Sequence, residues 1–281
     1  MISVNNLSYT YAGNVNPAIK NISFHIEKGE IFGFLGPSGS GKSTTQKILY
    51  KLLNDYEGSA AIDGKEVKSW DKSLYEKIGV GFELPNHYLK LTALENLEFF
   101  RNFYQNSQKP LDLLAKVGLE NDAKKKVGDF SKGMKMRLNF VRSFMHNPEI
   151  IFLDEPTSGL DPVNGRIIKD IIKELQSEGK TIFLTTHQMH DADELCNRVA
   201  FMVDGALKVI DSPKQLKLKY SHHNVEVFMK DQQDPFYFSM EGLGQNETFL
   251  QLIRNGELST IHSKEASLDE IFIQVTGKSL T

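Results

Sequence analysis

The stretch Gly36-Pro37-Ser38-Gly39-Ser40-Gly41-Lys42-Ser43-Thr44 has the residue types and spacing of a phosphate cradle. Glycines let a backbone wrap closely enough that successive N–H groups aim at phosphate oxygens. A helix starting at the end of the loop adds a favourable dipole. In the pattern G-x-x-x-x-G-K-[ST] the lysine reaches the β- and γ-phosphates and the hydroxyl ligates Mg²⁺, which gives those tasks to Lys42 and Ser43. The apolar run Ile31–Leu35 before the loop and the helix-like stretch Thr45–Leu53 after it supply the strand–turn–helix context the pattern requires. Nucleotide binding is the expectation.

Phosphate chemistry also needs a carboxylate directed at the metal from a neighbouring strand. Asp154 closes the apolar run Ile150–Leu153, and the carboxyl ends of parallel strands form the ligand crevice of an α/β sheet. Glu155 comes next and is a candidate general base for an attacking water. Paired acids after a strand can be an ordinary solvated turn; a phosphate loop in the same chain favours the catalytic reading. His187 ends the next strand-like run, Thr181–Thr186, where an imidazole can donate to a γ-phosphate and orient the water or Glu155. Tyr9 and Tyr11, two apart, share one face if both lie on a strand. Stacking on a base and plain core packing are both open to them.

The elements that must position these groups follow from periodicity and turn residues. Residues 2–11 and 22–35 read as strands, broken near Gly13-Asn14 and at Glu27–Glu30. A short strand and turn covers 58–64, one or two helical turns cover 71–77, and Ile78–Glu83 is a strand stopped by Leu84-Pro85-Asn86. Residues 92–146 turn helical, with Leu94, Leu97 and Phe100 at helical spacing and Ser131 as the N-cap of a helix reaching Met145. Lys124–Lys126 within this stretch reads as a solvated face. The α/β pattern then resumes with helices at 164–178 and 191–197 and a hairpin around Asp204-Gly205. From Ser221 the expectation is a small α+β appendage: strands at 225–229, 236–238 and 248–253 and a closing helix at 267–273. The fold class is α/β, with a domain over 1–220, an all-helical subdomain over about 86–147 inside it, and an accessory domain over 221–281.

Composition narrows the function classes. A chain of 281 residues with net charge −3 gives no electrostatic reason to expect nucleic acid. The one cysteine, Cys196, excludes an intrachain disulfide and reads as a buried thiol. No apolar run of about 18 residues exists, and the N-terminus lacks the blocks of a signal peptide, so a soluble, cytoplasmic chain is expected.

Further motifs carry a family resemblance over Met1 to about residue 215. The chain resembles the ATPase subunit of an ATP-binding cassette (ABC) transporter, a P-loop NTPase with a mixed sheet and an inserted helical subdomain. Phe130-Ser131-Lys132-Gly133-Met134 is similar to that family's signature, Leu-Ser-Gly-Gly-Gln. Ser158-Gly159-Leu160-Asp161 resembles its D-loop, His187 its switch histidine and Tyr11 its adenine-stacking aromatic. Two positions depart from the pattern. Lys132 and Met134 replace a glycine and the glutamine of the signature, which keeps Ser131 and Gly133 for γ-phosphate binding. Glu83 stands where the family carries a glutamine that senses Mg²⁺ and the attacking water. It reads as a retained metal-sensing position with altered tuning, against the alternative that the role is lost.

The resemblance implies ATP and Mg²⁺ as ligands. It also implies a head-to-tail dimer of nucleotide-binding subunits, each closing Ser131 and Gly133 over the other's ATP, with Asp161 linking the two sites. A separate transmembrane permease is implied as the partner, gripped by Leu84–Leu97 and the helical insert at the cytoplasmic face of the membrane. The final segment, Ala266–Phe272 with Thr276-Gly277, resembles the ends of drug- and antibiotic-exporting members. Two alternatives stay open at this level: a soluble ABC ATPase acting on DNA or the ribosome, and a regulatory module with weakened hydrolysis.

Overall fold

Alternation of apolar and polar residues builds the first two strands. In β1 (Ile2–Tyr9) and β2 (Ile19–Ile26), Ile2, Val4, Leu7, Ile22, Phe24 and Ile26 are buried, with exposed residues between them. The run Ile31–Leu35 instead forms β3, buried at every position, as a parallel strand covered on both faces must be. The chain continues with α1 (Lys42–Leu49), β4 (Glu57–Ile62), β5 (Lys65–Glu66), α2 (Leu74–Lys77) and β6 (Ile78–Gly81). Three helices follow, α3 (Ala93–Arg101), α4 (Pro110–Lys116) and α5 (Lys132–Phe144), the first opened by a capping box between Thr92 and Glu95. Then come β7 (Ile150–Asp154), α6 (Pro162–Ser177), β8 (Thr181–Thr186), α7 (Met189–Leu195), β9 (Arg198–Val203) and β10 (Ala206–Asp211).

These elements, in a computed structural model that describes residues 1–221, 224–230, 234–255, 258–263 and 265–279, make two sheets. One is antiparallel, in the order β2-β1-β4-β5. The other runs β10-β9-β3-β8-β7-β6, parallel from β9 to β6 with β10 antiparallel at one edge. A single apolar core joins them, centred on the rings of Phe24, Phe32, Phe34, Phe152 and Phe183. Phe24 and Phe34 meet edge to face at 4.9 Å, and Phe34 and Phe183 at 4.8 Å. Each such ring, fully buried, contributes about 1.5–3 kcal/mol.

The strand order decides what meets what. β8 lies between β3, which carries the phosphate loop, and β7, which carries the acids. Its register sets Leu35 opposite Thr186 and Asp154 opposite Thr185.

The chain divides into two compact units, one built on Met1–Ser212 and the other on Pro213–Lys278. The second consists of α8 (Pro213–Tyr220), β11 (Asn224–Met229), β12 (Phe236–Ser239), α9 (Glu247–Arg254), β13 (Leu258–Ser263) and α10 (Leu268–Thr276). Its sheet is antiparallel in the order β12-β11-β13, and one face buries Val225, Val227, Met229 and Phe238 with Phe249 of α9.

Several boundaries differ from the sequence expectation. The segment 248–253 is not a strand but lies in α9, whose start is capped by Asn246 accepting from the N–H of Phe249 at 3.1 Å. A short apolar run does not distinguish the two states, and the i, i+3, i+4 spacing of Phe249, Leu252 and Ile253 gives the helix one apolar face. β13 goes unanticipated because Leu258–Ser263 is mostly exposed and carries no alternation signal. β1 ends at Tyr9, so Tyr9 and Tyr11 do not share a strand face.

Candidate functional site

The phosphate loop is built by close approach. A Cβ on Gly36 would stand 2.1 Å from the carbonyl oxygen of Met202, so only glycine fits there. Gly41, at φ 109°, turns the chain into α1 without any side-chain cap, leaving the first N–H groups of the helix for an anion. Pro37, Ser38, Gly39, Ser40 and Thr44 complete the turn between β3 and α1. Lys42 is buried and folded across its own loop, donating from Nζ to the carbonyls of Gly36 at 2.7 Å and Pro37 at 3.0 Å. Burial lowers its pKa, and Glu155, Asp154 and Glu83 oppose that shift. One turn further along α1, buried Gln46 donates to the carbonyls of Leu153 at 3.2 Å and Phe183 at 3.1 Å, pinning the helix onto β7 and β8.

Two carboxylates face this loop from the end of β7. Ser43 Oγ donates to Asp154 Oδ1 at 3.2 Å, and Thr185 Oγ1 donates to the same oxygen. Hydroxyl and carboxylate oxygens converging here are the hard donor set that Mg²⁺ takes. Glu155 sits at φ 50°, a left-handed conformation that costs a non-glycine residue about 1–2 kcal/mol. Its N–H donates to the carbonyl of Thr185 at 2.9 Å, which holds the turn. The nearly buried carboxylate accepts from Thr186 Oγ1 at 3.1 Å on Oε2 and meets His187 Nδ1 at 2.8 Å on Oε1. An ionised Glu155 is acceptor-only, so this contact puts a proton on His187 Nδ1.

Glu83 lies just beyond β6 and lines, with Asp154, a cleft of about 600 Å³ whose wall includes Tyr88, Phe100 and Arg142. α5 holds this segment: Asn139 Nδ2 donates to the Phe82 carbonyl and Arg142 Nη1 to that of Asn86, each at 2.7 Å. His87 beside it is held neutral by burial, its pKa pushed down to about 4. Tyr11 bonds Thr44 Oγ1 through its hydroxyl at 3.0 Å, whereas Tyr9 packs in the core and meets Tyr11 edge to face. Plain core packing holds for Tyr9, and Tyr11, partly buried, also packs against that core.

The signature-like segment has a different neighbour. Ser131 caps α5, its Oγ accepting from the N–H of Met134 at 3.2 Å. Gly133 faces Leu160, and Lys132 Nζ would be 3.0 Å from a Cβ on Gly159. Asp161 caps α6, accepting at 3.1 Å from the N–H groups of Val163 and Asn164, and the hydrogen bonds from Asn164 keep its carboxyl below the usual range. Among the described residues, no hydrogen bond or ion pair links Ser131, Lys132, Gly133 or Asp161 to Lys42, Ser43, Asp154 or Glu155.

Known proteins resemble this arrangement. The ABC transporter family profile matches residues 19–158, and a fluoroquinolone efflux ABC transporter C-terminal domain profile matches 231–265. A fluoroquinolones export ATP-binding protein of Mycobacterium tuberculosis is 52% identical, covering 100% of this chain and 95% of its own. A Nod factor export ATP-binding protein of Burkholderia pseudomallei is 32% identical over 93% of each. In structure, a dimeric ATP-binding cassette in a post-hydrolysis state, bound to ADP and Pi, superposes with a TM-score of 0.70 at 31% identity, over 75% of this chain and 98% of its own. The chain belongs to the ABC transporter family. It is an ATP-binding subunit that binds nucleotide and hydrolyses ATP to drive transport. No helix of the described residues is long and apolar enough to cross a membrane.

Three residues of this ABC subunit escaped the sequence reading. Thr185 and Thr186 each deliver a hydroxyl to one of the acids, and Gln46 ties the loop's helix to both strands. The signal for the threonines was their place at a strand end before His187; for Gln46 it was a polar residue one turn past Lys42 on the buried face. A separate cluster of His190, Asp191 and Glu194 has ligand-like geometry, but Lys169 and Lys173 already neutralise it and hold the Glu194 carboxyl down to about 2.

Proposed function

We propose that this chain powers an exporter of amphiphilic molecules through a separate membrane permease, pairing head to tail with a second nucleotide-binding subunit. The observation that carries the catalytic part is the contact of Glu155 with His187 at 2.8 Å beside the Ser43–Asp154 pair. Lys42 would exchange its bonds to the loop carbonyls for bonds to the β- and γ-phosphates, which offsets the cost of burying its charge. Ser43 and Asp154 would hold Mg²⁺, with Glu83 near it. When bound, that ion neutralises charge building on the phosphate oxygens. Glu155 takes the proton of the attacking water, and His187 and Thr186 keep its carboxylate oriented toward that water. The products are ADP and inorganic phosphate.

Tyr11 is suited to stack on the adenine, since its hydroxyl already anchors it to the loop at Thr44. Ser131, Lys132 and Gly133 would close over the nucleotide of the second subunit, with Asp161 between the sites. Export is supported by the relatives' names, which specify export of fluoroquinolones and of Nod factor. The permease would dock near the cleft beside Glu83, at the cytoplasmic face of the membrane. Glu155→Gln tests the core of this reading. Phosphate release is expected to fall by about 10²–10⁴-fold while ATP binding persists. Turnover close to the wild type would remove Glu155 from the role.

A further inference from the structure

Beyond the ends of β7 and β8, the acid segment Glu155–Thr157 and the histidine segment His187–Asp191 are joined twice. At one end Glu155 Oε1 meets His187 Nδ1 at 2.8 Å, and at the other Thr157 Oγ1 donates to Asp191 Oδ2 at 2.6 Å. The two contacts close a ring of chain through Pro156 on one side and residues 188–190 on the other. Their settings differ. The His187 side chain is 52% exposed, so water competes for its bond to Glu155. Thr157 and Asp191 are both buried, and a hydroxyl held this close to a carboxylate is a short, charge-assisted bond.

The turn after Glu155 depends on such a tie. Pro156 has no N–H to offer, and the turn holds itself through Ser158 N–H on the Glu155 carbonyl at 3.1 Å and Leu160 N–H on that of Thr157 at 3.3 Å. The Thr157 side chain then fastens it to α7. Near His187, the N–H of Gln188 donates to Thr186 Oγ1 at 3.0 Å, and that hydroxyl donates to Glu155. A carboxylate in the first turn of α7 suits the helix dipole, and Asp191 also pairs with Lys169 of α6. Neither fact accounts for its aim. Lys169 lies closer to Glu194, at 2.6 Å, than to Asp191, at 3.2 Å, while the shorter bond of Asp191 goes to Thr157. We propose that Thr157 and Asp191 are positioning residues for ATP hydrolysis, their buried hydrogen bond fixing the approach of His187 to Glu155. This rests on Glu155 acting as the base.

The test is steady-state Mg·ATP hydrolysis by the full chain, below the melting temperature of each variant. Thr157→Val, which keeps the shape but removes the hydroxyl, should lower kcat about ten- to a hundredfold. The KM for ATP should stay within about twofold, because the phosphate loop is untouched. Thr157→Ser restores the hydroxyl and should restore the rate. Asp191→Ala should match Thr157→Val, and the double variant should be no slower than the slower single one, since both remove the same bond. A wild-type rate in Thr157→Val, a Thr157→Ser as slow as Thr157→Val, a rise in KM with kcat unchanged, or losses that multiply in the double variant would each overturn the proposal. If Asp191→Ala proves too unstable to assay, the Thr157→Val and Thr157→Ser pair decides alone. Glu155→Gln, measured alongside, separates the two ideas: normal turnover there removes the base and this proposal with it, whereas its loss beside an active Thr157→Val overturns the positioning role only.

Discussion

The two units treat polar side chains in opposite ways. In Met1–Ser212 several polar groups at the candidate site are pulled inside and tied down: Lys42, Gln46, Glu155, Thr185 and Thr186 are buried, each with a hydrogen-bond partner, while His187 stays half exposed. In Pro213–Lys278 the buried side chains among the described residues are apolar, some clustered around Phe238 and Phe249 and others, such as Leu216, Ile271 and Phe272, outside that cluster, and polar groups such as Glu226 and Glu270 line an open cavity. Buried polar networks fix geometry because every member must be satisfied, at the cost of tolerating little change. An open polar lining constrains its residues weakly. The contrast teaches where substitutions will damage function and where they will damage stability alone.

The sharpest way to break that contrast is Gly36→Ala. The added carbon would collide with the Met202 carbonyl, which is backbone and cannot swing aside. Loss of nucleotide binding is expected, with a stability cost of about 1–3 kcal/mol or more. Fluorescent ATP-analogue binding and thermal melting check both; normal ATP affinity would show that the loop does not need its close contact with β9. Phe249→Ala is the counterpart in the second unit. It should lower that unit's stability by about 3–5 kcal/mol, while ATP turnover at a temperature below its unfolding stays near the wild type. A parallel collapse of turnover would mean that the two units are not energetically separate.

Smaller effects sharpen the picture at the cleft. Glu83→Gln removes a negative charge close to Lys42 and Asp154. The Mg²⁺ concentration giving half-maximal turnover should shift, and an unchanged Mg²⁺ titration would retire any metal-tuning role for Glu83. His87 gives a pH signature. Its unfolded imidazole titrates near 6.5 and the folded one near 4, so between those values the unfolded chain binds the extra proton. Stability from this group is complete above pH 6.5 and declines as pH falls toward 4, then levels off. In urea melts from pH 7 to 4, His87→Gln should flatten part of the decline.

Lys42, Ser43, Asp154, Glu155 and His187 were legible in the sequence because each sits at the end of an apolar strand or in a glycine-rich turn, and both signals are local. The same locality explains Ser131, whose capping role follows from a serine before a helical run. Where local signals were weak, the reading slipped: the exposed strand β13 has none, and the run in α9 suits helix and strand alike. Asp161 is a case between. Its helix-capping contacts are local, while anything it does between two subunits is not written in its own neighbourhood.

By itself, the amino-acid sequence determined that this chain holds a phosphate loop, an acid pair and a strand-end histidine within an α/β frame, because glycine content, apolar runs and turn residues act over a few positions. Only the tertiary structure decided that β8 inserts between the loop strand and the acid strand. That order brings Thr185 to Asp154 and Thr186 with His187 to Glu155, and lets Gln46 clamp the helix to both strands. Strand order and register arise from packing between residues far apart in the chain, and no short stretch encodes them.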